Sequence, residues 1–246
     1  MRLNSCTAIV TGGGSGFGAG IARKFASEGA RVMVADIDRA TAERVAGEVG
    51  GIAHEVDVSQ SASVNEMAAV ALRELGHVDI LVNNAGITHS PMPMEDVPES
   101  EFDRVFAVNA KSVYLTAKHL VPHMKSRARG AILNIASTAG LSPRPYLNWY
   151  NATKGWMITA TKTMAVELAP AGIRVNALCP VAGETPLLPS FLGEDTPKRR
   201  ASFIATIPIG RFSTPEDIAN AACYLCSDEA GMVTGVALEI DGGRCV

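Results

Sequence analysis

No stretch of this chain approaches the roughly 20 consecutive apolar residues that a membrane-spanning helix needs, although 47% of its residues are hydrophobic and only 19% charged. That balance excludes a membrane span and a disordered chain alike. Basic residues are not in excess: 22 Lys and Arg stand against 25 Asp and Glu, a net charge of -3, and they are scattered. No nucleic-acid partner is expected, because that would call for a basic stripe. Cysteine is scarce and odd in number, five residues at Cys6, Cys179, Cys223, Cys226 and Cys245. Their mostly apolar neighbours mark reduced core thiols rather than a disulfide framework. The segment Met1 to Cys6 lacks the apolar stretch of a signal peptide and runs at once into a strand and glycines, so a cytoplasmic location is expected.

Metal-ligand clusters are also missing. Cys223-Tyr-Leu-Cys226 has redox-motif spacing but falls in an expected helix with no strand before it and no second pair, which favours a structural role. His119 and His123 sit four apart without a neighbouring Glu or third ligand, so they are read as a solvated helix face and no metal is expected. No shift in composition divides the 246 residues, and one domain is expected.

What the chain does have is a regular alternation. Thr7 to Thr11, Arg31 to Ala35, Ile52 to Val56, Val78 to Val82, Ala131 to Ile135, Arg174 to Leu178 and Ala237 to Ile240 are short apolar runs of strand character. Helical spacing fills the intervals: Ala19 to Glu28, Arg39 to Val49, Ala62 to Leu75, one long or bent region from Glu99 to about Lys125, Tyr150 to Leu168, and Thr214 to Ser227. The last of these opens with a hydroxyl cap, a proline and two acids. The alternation predicts an α/β fold, a doubly wound and mostly parallel seven-stranded sheet with helices on both faces. Residues 183 to 208 have little strand pattern, several prolines and an apolar patch at Leu187, Leu188, Phe191 and Leu192, as a lid over a site would. Lys198-Arg199-Arg200 within it reads as a solvated helix face, with a substrate clamp as the alternative.

Chemistry-bearing residues gather at the ends of these strands. Gly12-Gly13-Gly14-Ser15-Gly16-Phe17-Gly18 joins the first strand to the first helix, where backbone can approach a pyrophosphate and the helix amino terminus favours its charge. A plain glycine turn is the alternative. Asp36 closes the second strand about twenty residues on, where an acid accepts hydrogen bonds from an adenosine ribose. No Arg or Lys stands at Ser15 or Ile37 to receive a 2'-phosphate, though Arg39 is near, so NAD is expected over NADP. Asp57-Val58 ends the third strand as an adenine contact or an N-cap. Asn83-Asn84-Ala85-Gly86 ends the fourth, in the ligand crevice of such sheets. Asn109, a poor helix former in mid-helix, is either solvated or bonded to something specific. Ser137 follows the fifth strand, placed to polarise a carbonyl. Tyr150 and Lys154, four apart at the head of an apolar helix, share one face. An ammonium there would pull the phenol pKa from about 10 toward the working pH, and the phenol could then exchange a proton with an alcohol or carbonyl. The alternative is a surface pair.

Taken together, these pieces resemble the short-chain dehydrogenase/reductase family over essentially the whole chain. Thr11-Gly12-x-x-x-Gly16-x-Gly18, Asn83-Asn84-Ala85-Gly86, Ser137 thirteen residues before Tyr150, Pro208-x-Gly210-Arg211-x-x-x-Pro215-Glu216-Asp217 and Asp241-Gly242-Gly243 carry the likeness. The resemblance implies a Rossmann fold, hydride exchange between a nicotinamide and a secondary alcohol or ketone, and a homotetramer or, less often, a dimer. It also implies roles. Tyr150 is the acid/base, Lys154 tunes it and binds the nicotinamide ribose, Ser137 holds the substrate oxygen, and Asn109 anchors a water. Asn84, Ala85 and Gly86 form part of the cofactor floor, Pro180 lies beside the nicotinamide, and Thr185 meets its amide. One departure is Val181, where the family commonly has Gly; Gly183 is expected to restore the turn. Arg144, Asn148 and Trp149, between the catalytic residues, are candidates for the substrate wall, and an Arg there could pair with an anion. The expected substrate is a small hydroxylated compound, acidic on this reading. A 3-oxoacyl thioester reductase using NADPH is the alternative, and a non-catalytic dinucleotide-binding protein the alternative from another class.

Overall fold

The computed structural model describes residues 1–246. Seven strands form one sheet: β1 (Thr7–Thr11), β2 (Arg31–Asp36), β3 (Ile52–Glu55), β4 (Ile80–Asn83), β5 (Gly130–Ile135), β6 (Ile173–Pro180) and β7 (Ala237–Ile240). Their order is β3-β2-β1-β4-β5-β6-β7, and every pairing is parallel rather than most of them. The chain winds outward from β1 in one direction, then returns to β4 and winds in the other. A crevice therefore opens beyond the carboxyl ends of β1 and β4, where the flanking connections part.

Helices cover both faces because the strand residues alternate in what they offer. Val10, Val34, Val82 and Leu133 point to one core, which α1 (Gly16–Ser27), α2 (Arg39–Val49) and α9 (Pro215–Cys226) close. Ile9, Met33, Leu81 and Ile132 point to the other, closed by α3 (Ser61–Leu75), α5 (Ser112–Arg127) and α6 (Asn148–Leu168). Cys223 and Cys226 are buried in the first core. Gly20 lets α1 and α9 meet, since a Cβ there would stand 2.7 Å from Pro215. The predicted Thr214 cap is made in full: its side chain accepts from the Asp217 N–H while Asp217 accepts from the Thr214 N–H.

The region 99–127 differs from the single helix expected. It is α4 (Glu99–Phe106), one π-helical turn (Ala107–Lys111) and α5. A π turn accommodates an extra residue and shifts the phase of everything beyond it. Two short helices occupy residues 183–208: α7 (Leu188–Leu192), which was not read from the sequence, and α8 (Pro197–Ile204), of which only the helix face at Lys198 to Arg200 was. Their proline-rich starts and brevity hide helical periodicity. The two ends of the segment meet beyond β6, because Gly183 bridges Ser213 and the Glu184 N–H donates to the Ser213 carbonyl at 3.0 Å. Its underside packs Val181, Leu188, Leu192, Phe203, Ile207 and Phe212 together.

Candidate active site

A cleft of about 650 Å³ runs across the carboxyl end of the sheet. Gly12, Ser15, Gly16 and Phe17 line it from the β1–α1 connection, Asp36 and Ile37 from the end of β2, and Asp57 and Val58 from after β3. Asn84, Ala85 and Gly86 form the floor, and Ser137, Tyr150, Lys154, Pro180 and Thr185 form the far end. Gly18 lies beneath the loop instead: a Cβ there would sit 2.1 Å from the Gly12 carbonyl oxygen. Thr11 and Asn84 lock this loop. The Asn84 amide donates to the carbonyls of Thr11 at 2.9 Å and Gly12 at 3.0 Å, and the Thr11 hydroxyl accepts from the Asn84 N–H at 3.0 Å.

The shape and donors fit an elongated dinucleotide. Helix α1 begins at the cleft with no side-chain cap on its first turn and no acid within it, so its free N–H groups and dipole are available to a diphosphate. Asp36, which accepts from the Gly14 N–H at 2.9 Å and the Asp38 N–H at 3.1 Å, stands where a ribose would lie. Asp57 accepts from the Ser59 N–H at 2.9 Å and its hydroxyl at 2.7 Å, which makes it a turn acid as well as a cleft residue.

At the far end, α6 carries Tyr150 and Lys154, both buried. The Lys154 ammonium donates to the Ile135 carbonyl at 2.8 Å and lies 5.9 Å from the Tyr150 ring centre. Burial pushes the ammonium down to about 8. It pushes the phenol up, with the Ser137 hydroxyl acting in the opposite direction. The expected lowering of the phenol is therefore not what the protein alone produces. Desolvation penalises the phenolate, and Lys154 spends a donor on backbone rather than on the phenol. Ser137 accepts from the Ala139 N–H at 3.1 Å and faces the Pro180 carbonyl at 3.5 Å.

Asn109 is fully buried on the π turn, behind the cleft rather than in it. Its side chain accepts from the Ile87 N–H at 2.9 Å and donates to the Ile87 carbonyl at 2.9 Å and the Thr153 hydroxyl at 3.1 Å. Thr153 in turn donates to the Tyr150 carbonyl at 2.7 Å. The chain after β4 is thus bonded to the helix that bears the phenol. Thr153 was not legible as a participant, because only the π turn brings Asn109 to it.

The substrate-wall candidates lie elsewhere than expected. Trp149 donates to the Met94 carbonyl at 3.1 Å and packs edge-on against Phe102, so it does not line the cleft. Nor does Arg144, whose guanidinium lies 4.1 Å over the Phe203 ring. Leu188, Phe191 and Arg104 line it instead, and Phe191 meets Tyr150 at 5.9 Å. The apolar patch in the lid was the available signal for the first two. Val181 lines the cleft and joins the lid cluster. Gly183 serves a close approach rather than a turn, for a Cβ there would lie 2.4 Å from the Phe17 ring. The basic trio is no clamp: Arg200 pairs with Asp195 and, at 3.1 Å, with Glu184, and Arg199 reaches Glu194 at 3.5 Å.

Comparison with known proteins agrees with this geometry. Residues 12–244 match the family described as enoyl-(acyl carrier protein) reductase. The 4-formylbenzenesulfonate dehydrogenase of Comamonas testosteroni is 47% identical over 99% of this chain and 99% of its own. A 2-(S)-hydroxypropyl-CoM dehydrogenase of Xanthobacter autotrophicus is 39% identical over 98% and 97%. The crystal structure of a 3-ketoacyl-(acyl-carrier-protein) reductase from Brucella melitensis complexed with NADH superposes with a TM-score of 0.95, at 51% identity, covering 99% of this chain and 100% of that one. No helix of the protein is long and apolar enough to cross a membrane. The chain belongs to the short-chain dehydrogenase/reductase family, as an oxidoreductase that uses a nicotinamide dinucleotide and acts on CH–OH donors.

Proposed function

We propose that this enzyme uses NAD(H), in preference to NADP(H), to interconvert the secondary alcohol and ketone of a small acidic substrate. The observation that carries the cofactor preference is Asp36. Its carboxylate lines the cleft at the end of β2, where it favours ribose hydroxyls and repels a 2'-phosphate. The nearby arginines are engaged: Arg39 bonds Glu43 at 2.7 Å, and Arg44 bonds the Gly14 carbonyl and Glu48, each at 2.9 Å. The acidic substrate is supported by the relative that acts on 4-formylbenzenesulfonate, whose substrate is an anion.

The bound nicotinamide supplies or accepts the hydride. Tyr150, held as a neutral phenol by burial, donates its proton to the carbonyl oxygen in reduction and takes one back in oxidation. Ser137 orients that oxygen, Lys154 supplies positive charge beside the phenol and a donor for the ribose, and Asn109 fixes the wall behind them through Ile87 and Thr153. All four positions are filled, which disfavours a purely dinucleotide-binding role.

The test is turnover with NADH and NADPH in parallel for wild type and Asp36→Ala. Wild type is expected to favour NADH by at least about tenfold in kcat/KM, about 1.4 kcal/mol, and the variant to approach parity. Faster wild-type turnover with NADPH would refute the reading.

A 3-oxoacyl thioester reductase is the second reading, favoured by the Brucella structure at 51% identity. That protein was crystallised with NADH, so Asp36 does not separate the two substrates, and direct assay of a 3-oxoacyl thioester does. We further propose a cytoplasmic homotetramer. Phe106 and Trp156 touch edge to face and stay 41% and 38% exposed, an apolar side of α4 and α6 that suits another subunit.

A further inference from the structure

Arg144 and Arg244 differ from the other arginines around the lid. Arg199, Arg200 and Arg211 each pair with a carboxylate. Arg144 and Arg244 pair with none, yet both converge on one aromatic ring: their guanidinium carbons lie 4.1 Å and 5.3 Å from the centre of Phe203. Arg244 has one hydrogen bond, its Nε donating to the Thr206 hydroxyl at 3.0 Å. Arg144 has an Nη2 that is buried without any partner. A buried donor without an acceptor is costly, and a guanidinium is the costliest kind.

The ring between them belongs to the lid, in a run of contacting rings that begins at the Tyr150 phenol and continues beyond Phe203 to Phe212. Tyr150 meets Phe191 at 5.9 Å, and Phe191 meets Phe203 at 6.0 Å. Phe191 lines the cleft. The loop that bears Arg144 is itself fixed to the catalytic helix, because the Asn151 amide donates to the Arg144 carbonyl at 2.7 Å. Two unpaired positive charges thus stand behind the aromatic wall of the site, one of them anchored one residue beyond Tyr150.

Resting on the acidic-substrate reading above, we propose that Arg144 and Arg244 are the specificity-determining pair for an anionic group at the far end of the substrate. The carboxylate or sulfonate seats against the free Nη2 of Arg144, with Arg244 as the second charge, and the Phe203 ring moves off the guanidinium as α8 opens and covers the anion when it closes. Planar guanidinium suits either anion, since it offers paired donors to two oxygens. The two rings between Tyr150 and Arg144 place the anion a spacer away from the reacting carbon. The substrate class is therefore an aldehyde or ketone with a distal anion, such as a para-substituted aryl carbonyl, rather than a 2-oxo acid.

The test measures kcat and KM with NADH for 4-formylbenzoate and its methyl ester, with pyruvate as the short anion. Wild type, Arg144→Met, Arg144→Lys and Arg244→Gln are compared, and NADH binding by fluorescence verifies that each variant is folded. Wild type is expected to favour the anion over the ester by tenfold or more and to use pyruvate poorly. Arg144→Met should reduce that ratio by about tenfold, mainly through KM for the anion, and Arg144→Lys should restore part of it. Arg244→Gln should reduce it less. A wild-type ratio of one overturns the acidic-substrate reading and the pair with it, and no turnover of either aldehyde overturns the present proposal. A high wild-type ratio that Arg144→Met and Arg244→Gln both retain overturns the pair alone, as does pyruvate outcompeting the aryl acid.

Discussion

Lys154 is a charged group that the fold holds at a cost, and replacing it by Met should reveal how large that cost is. Lys154 as a whole is 4% exposed, and burial lowers its ammonium from 10.5 to about 8. At roughly 1.4 kcal/mol per pH unit, holding the charge in the fold costs about 3 kcal/mol. Met removes the charge while keeping most of the volume, but it also removes the bond to the Ile135 carbonyl, a loss of about 1–2 kcal/mol. At pH 7 Lys154→Met should therefore be more stable than wild type by about 1–2 kcal/mol, which for a chain of this size raises the melting temperature by about 2–8 °C. The pH dependence is the sharper signature. Between about 8 and 10.5 the unfolded lysine keeps its proton while the folded one has lost it, so the unfolded state binds more protons and wild-type stability rises with pH across that window. The variant lacks this rise. Urea melts of both proteins at pH 7 and pH 10 should show the advantage of Met falling by about 2–3 kcal/mol, with other titrations cancelling in the difference. A difference that stays constant within about 0.5 kcal/mol would show that the ammonium is not held at a cost, and the argument would fail. Activity should fall sharply in the same variant, as expected where a site is kept destabilised for function.

Tyr150→Phe should lower kcat by a factor of about 100 or more while NADH binding measured by fluorescence is retained, because the ring still fills its place beside Phe191; turnover within tenfold of wild type would remove Tyr150 from the mechanism. Light scattering at micromolar concentration should give the mass of four chains, or of two, and a mass of 25.8 kDa, that of one chain, would contradict the use of Phe106 and Trp156 as an interface.

The sheet was readable in the sequence because its inner strands are short apolar runs between polar or glycine boundaries, as parallel strands buried on both faces must be, whereas the edge strands β3 and β7 are part polar and part exposed. Boundaries moved only where the pattern and the pairing part: Val78 is fully buried, but β4 begins at Ile80, where ladder pairing to β1 starts. The cleft residues were readable for a related reason, since strand ends on one side of such a sheet all face one crevice. What escaped was whatever depends on phase or on distant contacts. The π turn at Ala107–Lys111 leaves no periodic trace within so few residues, although an Asn in mid-helix was a sign that something there is bonded. Arg144 and Trp149 were close to Tyr150 in sequence, yet their directions are set by Phe203 and Met94, which no local pattern specifies. Spacing likewise reports which groups are near Tyr150, but not the burial that pushes its phenol up.

The bridge between Gly183 and Ser213 makes the segment between them a loop whose two ends meet at one point just beyond β6. Closing a loop costs entropy that grows only slowly with its length, so lengthening, shortening or replacing this segment leaves the strand pairing below it almost untouched. Leu188, Phe191 and Phe203 can then vary as a unit while Ser137, Tyr150 and Lys154 stay fixed in elements the loop does not strain. In that arrangement the apolar wall of the site is a detachable part of the protein, and exchanging the segment between relatives should change the preference for substrate shape while the anion preference proposed for Arg144 and Arg244, which lie outside it, stays with the rest of the chain.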